Sequence, residues 1–295
     1  MSTKMSTKMS TKMSTKMSTK MSTKMSTKMW IQVYSDIHIE LQNTFPRLPV
    51  KSRYLMLAGD IGQLKQPRHS AFHQFLKYCS SNWEKVFYIP GNHEFYVHDK
   101  TMDDIELEYK RCFEKYKNIF YLNNSFAELN DQVNIYGSVF WTSPSFTSTY
   151  EAQMYVNDYN HISYVRKDGN TVVPLDIQKV KELSEESLRR LEEYLTRVNK
   201  KTIVVTHFPP HQSGTSHPKY ALQGKVMKNY FSHPDDLFRR FPLSNVLCWI
   251  SGHTHYSYDF ISTDGVRCIS NQVGYKSEST SDTGFNEDGL YEITL

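Results

Sequence analysis

The stretch "MWIQVYSDIHIE", residues 29–40, reads as a buried strand rich in β-branched residues, except that Asp36 and His38 sit within it two positions apart. An ionised carboxylate in a packed interior is costly without a partner of opposite charge. Working outward, further short apolar runs end in the same polar way. They are "YLMLAG" (54–59) before Asp60, "VFYIPG" (86–91) before Asn92 and His93, "TIVVTH" (202–207) ending in His207, and "VLCWISG" (246–252) before His253 and His255. A further strand is expected over 133–140, and a hairpin closes around Asp264 and Gly265.

Between these runs the spacing predicts helices over 69–83, 99–117 and 175–199. In the third, Leu183, Leu188, Leu191, Leu195 and Val198 recur at helical spacing, with charge on the other face. Residues 141–174 read as irregular and aromatic, and 208–245 as a long loop region. Short strands alternating with helices indicate an α/β fold. In such folds ligands bind beyond the carboxyl ends of the strands, so strands that end alike can deliver their polar residues to one place. Because that set runs from Asp36 to His255, residues 29–295 are expected to form one domain.

Residues 1–28 are seven copies of Met-Ser-Thr-Lys, a low-complexity tail expected to be disordered and upstream of an older start at Met29. The net charge of +4 is misleading, because without the seven repeat lysines 28 basic residues face 31 acidic ones, a balance of −3. Nothing basic outside the tail marks a nucleic-acid partner. No apolar run is long enough for a bilayer, and the tail lacks the apolar centre of a secretory signal and the arginines of a mitochondrial one. The expected location is cytoplasmic. Cys79, Cys112, Cys248 and Cys268 form no CxxC pair and suit reduced core positions.

Two carboxylates, an amide and several imidazoles, without a thiolate, suit manganese, iron or zinc. Two such cations close together need a shared carboxylate between them, and Asp60, framed by Gly59 and Gly62, is a natural bridge. Asp36/His38 and His253/His255 each have spacing two, so each pair can face one side of an extended segment.

The blocks "DIH", "GD", "GNHE", "TH" and "GHTH" occur in an order that resembles the calcineurin-like metallophosphoesterase superfamily, over about residues 31–275. The resemblance implies a four-layer αββα sandwich with a dimetal site at the strand ends. It implies that Asp36, His38 and His255 bind one metal, that Asn92, His207 and His253 bind the second, that Asp60 bridges and that His93 is catalytic. The implied reaction is hydrolysis of a phosphomonoester or phosphodiester by a metal-activated water, with a small phosphorylated substrate. A non-catalytic interaction module on the same fold, and a nuclease, are the alternatives.

The resemblance is closer to a group of small, mostly bacterial phosphoesterases of unassigned substrate, through Asn157-Asp158-Tyr159, the segment from His207 to Pro218, and Asn271, Gly274 and Tyr275. His217, Lys219, Arg166 and Tyr220 are candidates for gripping a phosphate or its organic group. Phe208 stands where these relatives often carry histidine, and Val273 where they often carry arginine. The text "GDIGQLK" departs from the "GDxVDRG" of the protein phosphatases, which argues against a protein substrate. Glu94 and Asp99 read as solvated helix-start acids. His69, His73, His98 and His233 match no family position and read as surface residues, and His211 is left unassigned.

Overall fold

The computed structural model describes residues 28–42, 44–64, 70–143, 145–220 and 225–295; the repeat up to residue 27, together with His69, lies outside them. In chain order the elements are β1 Lys28–Tyr34, β2 Tyr54–Ala58, α1 Ala71–Asn82, β3 Lys85–Ile89, α2 Met102–Phe113, β4 Ile119–Tyr121, β5 Ser125–Glu128 and β6 Val133–Ser138. There follow α3 Thr149–Tyr155, α4 Asp158–His161, β7 Ser163–Val165, β8 Val172–Pro174, α5 Ile177–Arg197, β9 Lys201–Thr206, α6 Lys225–Phe231 and β10 Val246–Ile250. The chain closes with β11 Tyr258–Ile261, β12 Arg267–Ser270, α7 Thr280–Thr283 and β13 Leu290–Thr294.

Two sheets carry the architecture, in the orders β13-β1-β2-β3-β4 and β11-β12-β10-β9-β6-β5, with β7 and β8 as a separate hairpin. β1 to β4 are mutually parallel, as are β6, β9, β10 and β12, whereas the outer strands β13, β11 and β5 are antiparallel to their neighbours.

Side-chain alternation sorts these strands into layers. Ile31, Val33, Met56, Ala58, Phe87 and Ile89 of the first sheet pack against Ile135, Ile203, Val205, Cys248 and Ile250 of the second. The alternate residues Tyr34, Leu55, Leu57, Val86 and Tyr88 face outward onto α1 and α2, where Phe72, Phe75, Leu76, Ile105 and Tyr109 cover them. On the far side Tyr136, Val204 and Trp249 meet Leu188, Leu191 and Leu195 of α5. The result is helix, sheet, sheet, helix, and the central strands, covered on both faces, are mostly apolar, the buried Gln32 of β1 donating to the carbonyls of Pro49 and Asp288. Each fully buried leucine or isoleucine contributes about 1.5–3 kcal/mol over an exposed one.

Helices α1, α2, α3, α5 and α7 begin at side-chain caps. The Asp176 side chain accepts from the Lys179 amide at 2.8 Å ahead of α5, and Thr101 and Asp104 form a reciprocal capping box ahead of α2. The stretches read as loops hold more order than their composition suggests. Residues 141–174 fold into α3, α4 and the β7–β8 hairpin, and 208–245 contains α6. β4, β5 and β13 are too short or too polar to stand out in the sequence, and β13 owes its place to pairing with β1. All four cysteines are free and buried. Among the described residues no helix is long and apolar enough to cross a membrane.

Candidate metal centre

The carboxyl ends of β1, β2, β3, β9 and β10 open on the same edge of the two facing sheets. There the chain leaves each strand in unusual conformations. Of seven non-glycine residues with positive φ among those described, five are Asp36 (54°), His38 (50°), Asp60 (53°), His253 (75°) and His255 (51°). This left-handed region is unfavourable for residues with a Cβ and persists only where surrounding contacts impose it. Here backbone bonds do so: Asp36 donates to Gly59, His38 to Asp60, and Gly274 to Asp36, each at 3.0 Å. The turns therefore interlock, and the alternation expected for Asp36/His38 and His253/His255 is replaced by left-handed turns that project each side chain separately.

Glycines let these turns approach one another. A Cβ on Gly91 would fall 2.1 Å from Oδ1 of Asp60, one on Gly59 2.2 Å from Nδ1 of His207, and one on Gly252 2.7 Å from Oδ2 of Asp36.

Asp36, His38, Asp60, Asn92 and His207 are all buried, and His253 and His255 are partly so. Nε2 of His38 lies 3.1 Å from Nε2 of His255, which is 3.5 Å from Oδ1 of Asp36. Nε2 of His207 lies 2.9 Å from Oδ1 of Asn92 and 3.4 Å from Oδ1 of Asp60, while Oδ2 of Asp60 is 3.9 Å from Nε2 of His38. Asp60 thus turns one oxygen toward each group. Three sets of side chains bring potential ligand atoms within 4.8 Å of one another: Asp36, His38 and His255; His38, Asp60 and His93; and Asp36, Asp60 and His207. His253 stands outside these sets. Its ring packs 4.0 Å from that of Phe208, and its buried Nε2 has no hydrogen-bond partner.

The donor set fits a cation. Nδ1 of His38 meets Glu40 at 3.0 Å, Nδ1 of His255 meets Glu278 at 2.6 Å, and Nδ1 of His207 meets the carbonyl of Ala58 at 3.0 Å. With an acceptor at each Nδ1, the Nε2 lone pairs point inward, where they face one another and the carboxylates. A cation removes that repulsion, and the unpartnered Nε2 of His253 is the same kind of vacant donor.

His93 sits between the two groups and the open cleft. Its amide donates to Oδ1 of Asp60 at 2.9 Å, Nδ1 lies 3.3 Å from Glu40, and Nε2 is 3.3 Å from the hydroxyl of Tyr275. Tyr96 stacks on its ring at 4.3 Å. Burial would lower its pKa, but Asp60 and then Glu40 outweigh that and raise it to about 9. For Glu40 burial acts upward, yet the hydrogen bonds from His38 and His93 hold its carboxyl below the usual range.

One acid and one histidine depart from the sequence expectation. Glu94 is fully buried rather than solvated: it accepts from the amides of Asp60 (3.0 Å), Ile61 (2.9 Å) and Gly91 (2.7 Å) and from the Tyr88 hydroxyl (2.7 Å). It thereby clasps the Asp60 turn to the Asn92 turn, and burial beside Asp60 pushes its pKa to about 7. Asp99 is exposed, as expected. His233 is buried rather than superficial, with Nε2 3.1 Å from the carbonyl of Phe140, and His211 is buried with Nδ1 3.2 Å from Asp235. His98 is exposed and His73 half-buried. Glu40 and Glu278 carried no sequence signal beyond proximity to a motif, and Asp158 stood out only as part of Asn157-Asp158-Tyr159, with no role assigned to it.

A cleft of about 280 Å³ opens over Asp60, Asn92, His93, His253 and His255. Tyr220 and Tyr275 reach its wall, whereas His217 lines an adjoining depression that shares Ser216 and Tyr220 with it. The Lys219 ammonium lies over the Tyr220 ring at 5.1 Å. Arg166 is not brought to the cleft; it lines a separate groove with Tyr164, Lys179 and Glu182.

The family model for calcineurin-like phosphoesterases matches residues 29–257. The chain belongs to that family. This calcineurin-like phosphoesterase is a metal-dependent hydrolase of phosphoesters with the αββα fold. It is 30% identical over 243 residues to an uncharacterised protein of Acanthamoeba polyphaga mimivirus, covering 79% of this chain and 82% of the relative. Among solved structures, phosphopantetheinyl hydrolase from Mycobacterium tuberculosis shares the fold with a TM-score of 0.57 at 18% identity, covering 89% of this chain and 95% of that one. A dimetal phosphatase from Danio rerio aligns with a TM-score of 0.45 at 15% identity over 83% of this chain and 87% of its own.

Proposed function

We propose that this phosphoesterase cleaves a small organic phosphoester using two divalent cations, one held by Asp36, His38 and His255, the other by Asn92, His207 and His253, with Asp60 shared between them. The observation that carries this reading is the divided Asp60 carboxylate, whose two oxygens face His38 and His207 from opposite sides. When bound, such cations supply Lewis acidity toward phosphoryl oxygens and lower the pKa of water.

The chain's own residues do the rest. Asn92 and the imidazoles set the spacing of the site. The buried wall excludes bulk water, so charges inside the site act through a lower dielectric. His93 faces the cleft through Nε2 and donates a proton to the departing oxygen. Phosphoester hydrolysis is among the slowest uncatalysed reactions, and this combination of charge and proton donation addresses both developing anions.

The test is metal removal by a chelator followed by reloading with manganese, iron, zinc or magnesium, assayed on aryl and alkyl mono- and diesters, phosphopantetheinyl esters included. Restored hydrolysis that collapses in Asp60→Ala is expected. Failure of every metal with every ester class overturns the proposal.

A further inference from the structure

Glu40 is two residues beyond His38 on a single 3-10 turn, Ile39–Leu41. Leu41 points to solvent, but the Glu40 side chain is only 6% exposed and turns back into the site. Its Oε1 lies 3.0 Å from Nδ1 of His38 and 3.3 Å from Nδ1 of His93. Those two rings stand edge to face, with centroids 4.6 Å apart. Oε2 is buried and has no protein partner.

A carboxylate in such a place is tolerated only if N–H groups point at it. Both imidazoles therefore carry a proton on Nδ1, and one oxygen accepts both hydrogen bonds. The consequence at the other nitrogen differs between the two rings. His38 turns an Nε2 lone pair toward Asp60 and His255; His93 turns Nε2 toward the cleft and the Tyr275 hydroxyl.

We infer that Glu40 is a positioning residue shared by the metal ligand His38 and the proton donor His93, so that one buried carboxylate holds a proton on Nδ1 of both rings and fixes which way each Nε2 points. This rests on the roles proposed above for those two histidines. In the reaction, the His93 imidazolium gives its Nε2 proton to the departing oxygen, and the ring is left neutral, its Nδ1–H still donated to Glu40. Nothing else changes its bonding, so the ring keeps its orientation while it loses charge.

Glu40→Gln preserves size but replaces one oxygen with an amide that donates. In chelator competition, the zinc affinity of this variant should fall roughly 10–100-fold, the range seen when an outer carboxylate behind a ligating histidine is lost. Its kcat should fall more on an alkyl ester, whose leaving oxygen needs a proton, than on a nitrophenyl ester, whose leaving oxygen does not. His93→Ala should reproduce the leaving-group effect without the loss of zinc, and adding Glu40→Gln to it should not increase leaving-group sensitivity further.

Loss of zinc affinity without altered leaving-group dependence, or the reverse, overturns the shared role. Should Glu40→Gln fail to fold, side-chain nitrogen NMR of the zinc-loaded wild type decides instead: protonated Nδ1 on both His38 and His93 is required, and the other tautomer on either overturns the inference. If the wild type cleaves no ester, the proposed reaction fails, while zinc competition and NMR still test Glu40.

Discussion

Asp158 holds Asn92 by its amide: Nδ2 of Asn92 donates to Oδ1 of Asp158 at 2.8 Å, which leaves Oδ1 of Asn92 2.9 Å from Nε2 of His207. An asparagine can present either end of its amide, and only the oxygen can ligate a cation. Asp158, buried and also accepting from the hydroxyls of Tyr96 (2.6 Å) and Tyr230 (3.3 Å), removes that choice. Asp158→Ala should therefore weaken metal binding about 10–100-fold, with little change in Asp36, His38 or His255. Metal analysis after dialysis checks this; two metals retained at wild-type affinity would show that Asn92 needs no outside support.

His93 lies between the two ligand groups and the open cleft, and its role is proposed to be with the substrate. His93→Ala should retain the bound metals yet lose about 10²–10⁴-fold in kcat, the usual contribution of a positioned acid. Metal content measured beside turnover separates the two effects, and a turnover equal to wild type would remove His93 from the reaction.

Gly91→Ala tests the close approach of the turns. The added Cβ would meet Oδ1 of Asp60 at 2.1 Å, the Asp60 amide nitrogen at 2.6 Å and Cε1 of His207 at 2.8 Å. Neither the backbone nor the buried imidazole can move aside cheaply, so the variant should lose about 1–3 kcal/mol of stability as well as metal affinity. Denaturant titration of the metal-free protein isolates the first loss, and an unchanged midpoint would mean that the turns are softer than their packing implies.

His233 sets an acid limit on stability. Complete burial lowers its pKa from 6.5 to about 4, although the bond to the Phe140 carbonyl opposes the shift. Above pH 6.5 the ring is neutral whether the chain is folded or unfolded, and no stability is lost there. As pH falls from 6.5 toward 4 the unfolded chain takes up a proton that the folded one refuses. Stability therefore declines by about 1.4 kcal/mol per pH unit, roughly 3 kcal/mol in all. His233→Gln should flatten that slope in urea titrations across the window.

Removing residues 1–28 should leave kcat and KM unchanged, since catalysis is proposed to lie in 29–295. The deletion costs the Lys28–Glu292 contact at 2.8 Å, a solvent-exposed pair worth at most about 1 kcal/mol. A large loss of rate would assign the repeat a part in the reaction.

Strand identity was legible because the central strands are largely apolar on both faces and end abruptly in Asp, Asn, His and Gly. The same endings marked Asp36, Asp60, Asn92, His207 and His255, all of which the fold gathers at one edge. β13 was not legible, since "LYEIT" becomes a strand through its antiparallel pairing with β1. Nor was the burial of Glu94. An acid just after "GNH" looks like a solvated helix start until the Asp60 and Gly91 turns close over it and offer their amides.

Local sequence, through periodicity and punctuation, determined which segments are strands and which polar residues stand at their ends. It supplied the glycines as well, but the need for them is tertiary, because the atoms that leave no room for a Cβ at Gly91 belong to Asp60 and His207. Only the tertiary structure decided which acids are outer partners and which are surface charge. Glu40, Asp158 and Glu278 acquire their roles from Nδ1 or Nδ2 donors, two of which come from residues far away in the chain. A hydrogen bond of that kind exists only once separate strand ends have met, so no local pattern can record it.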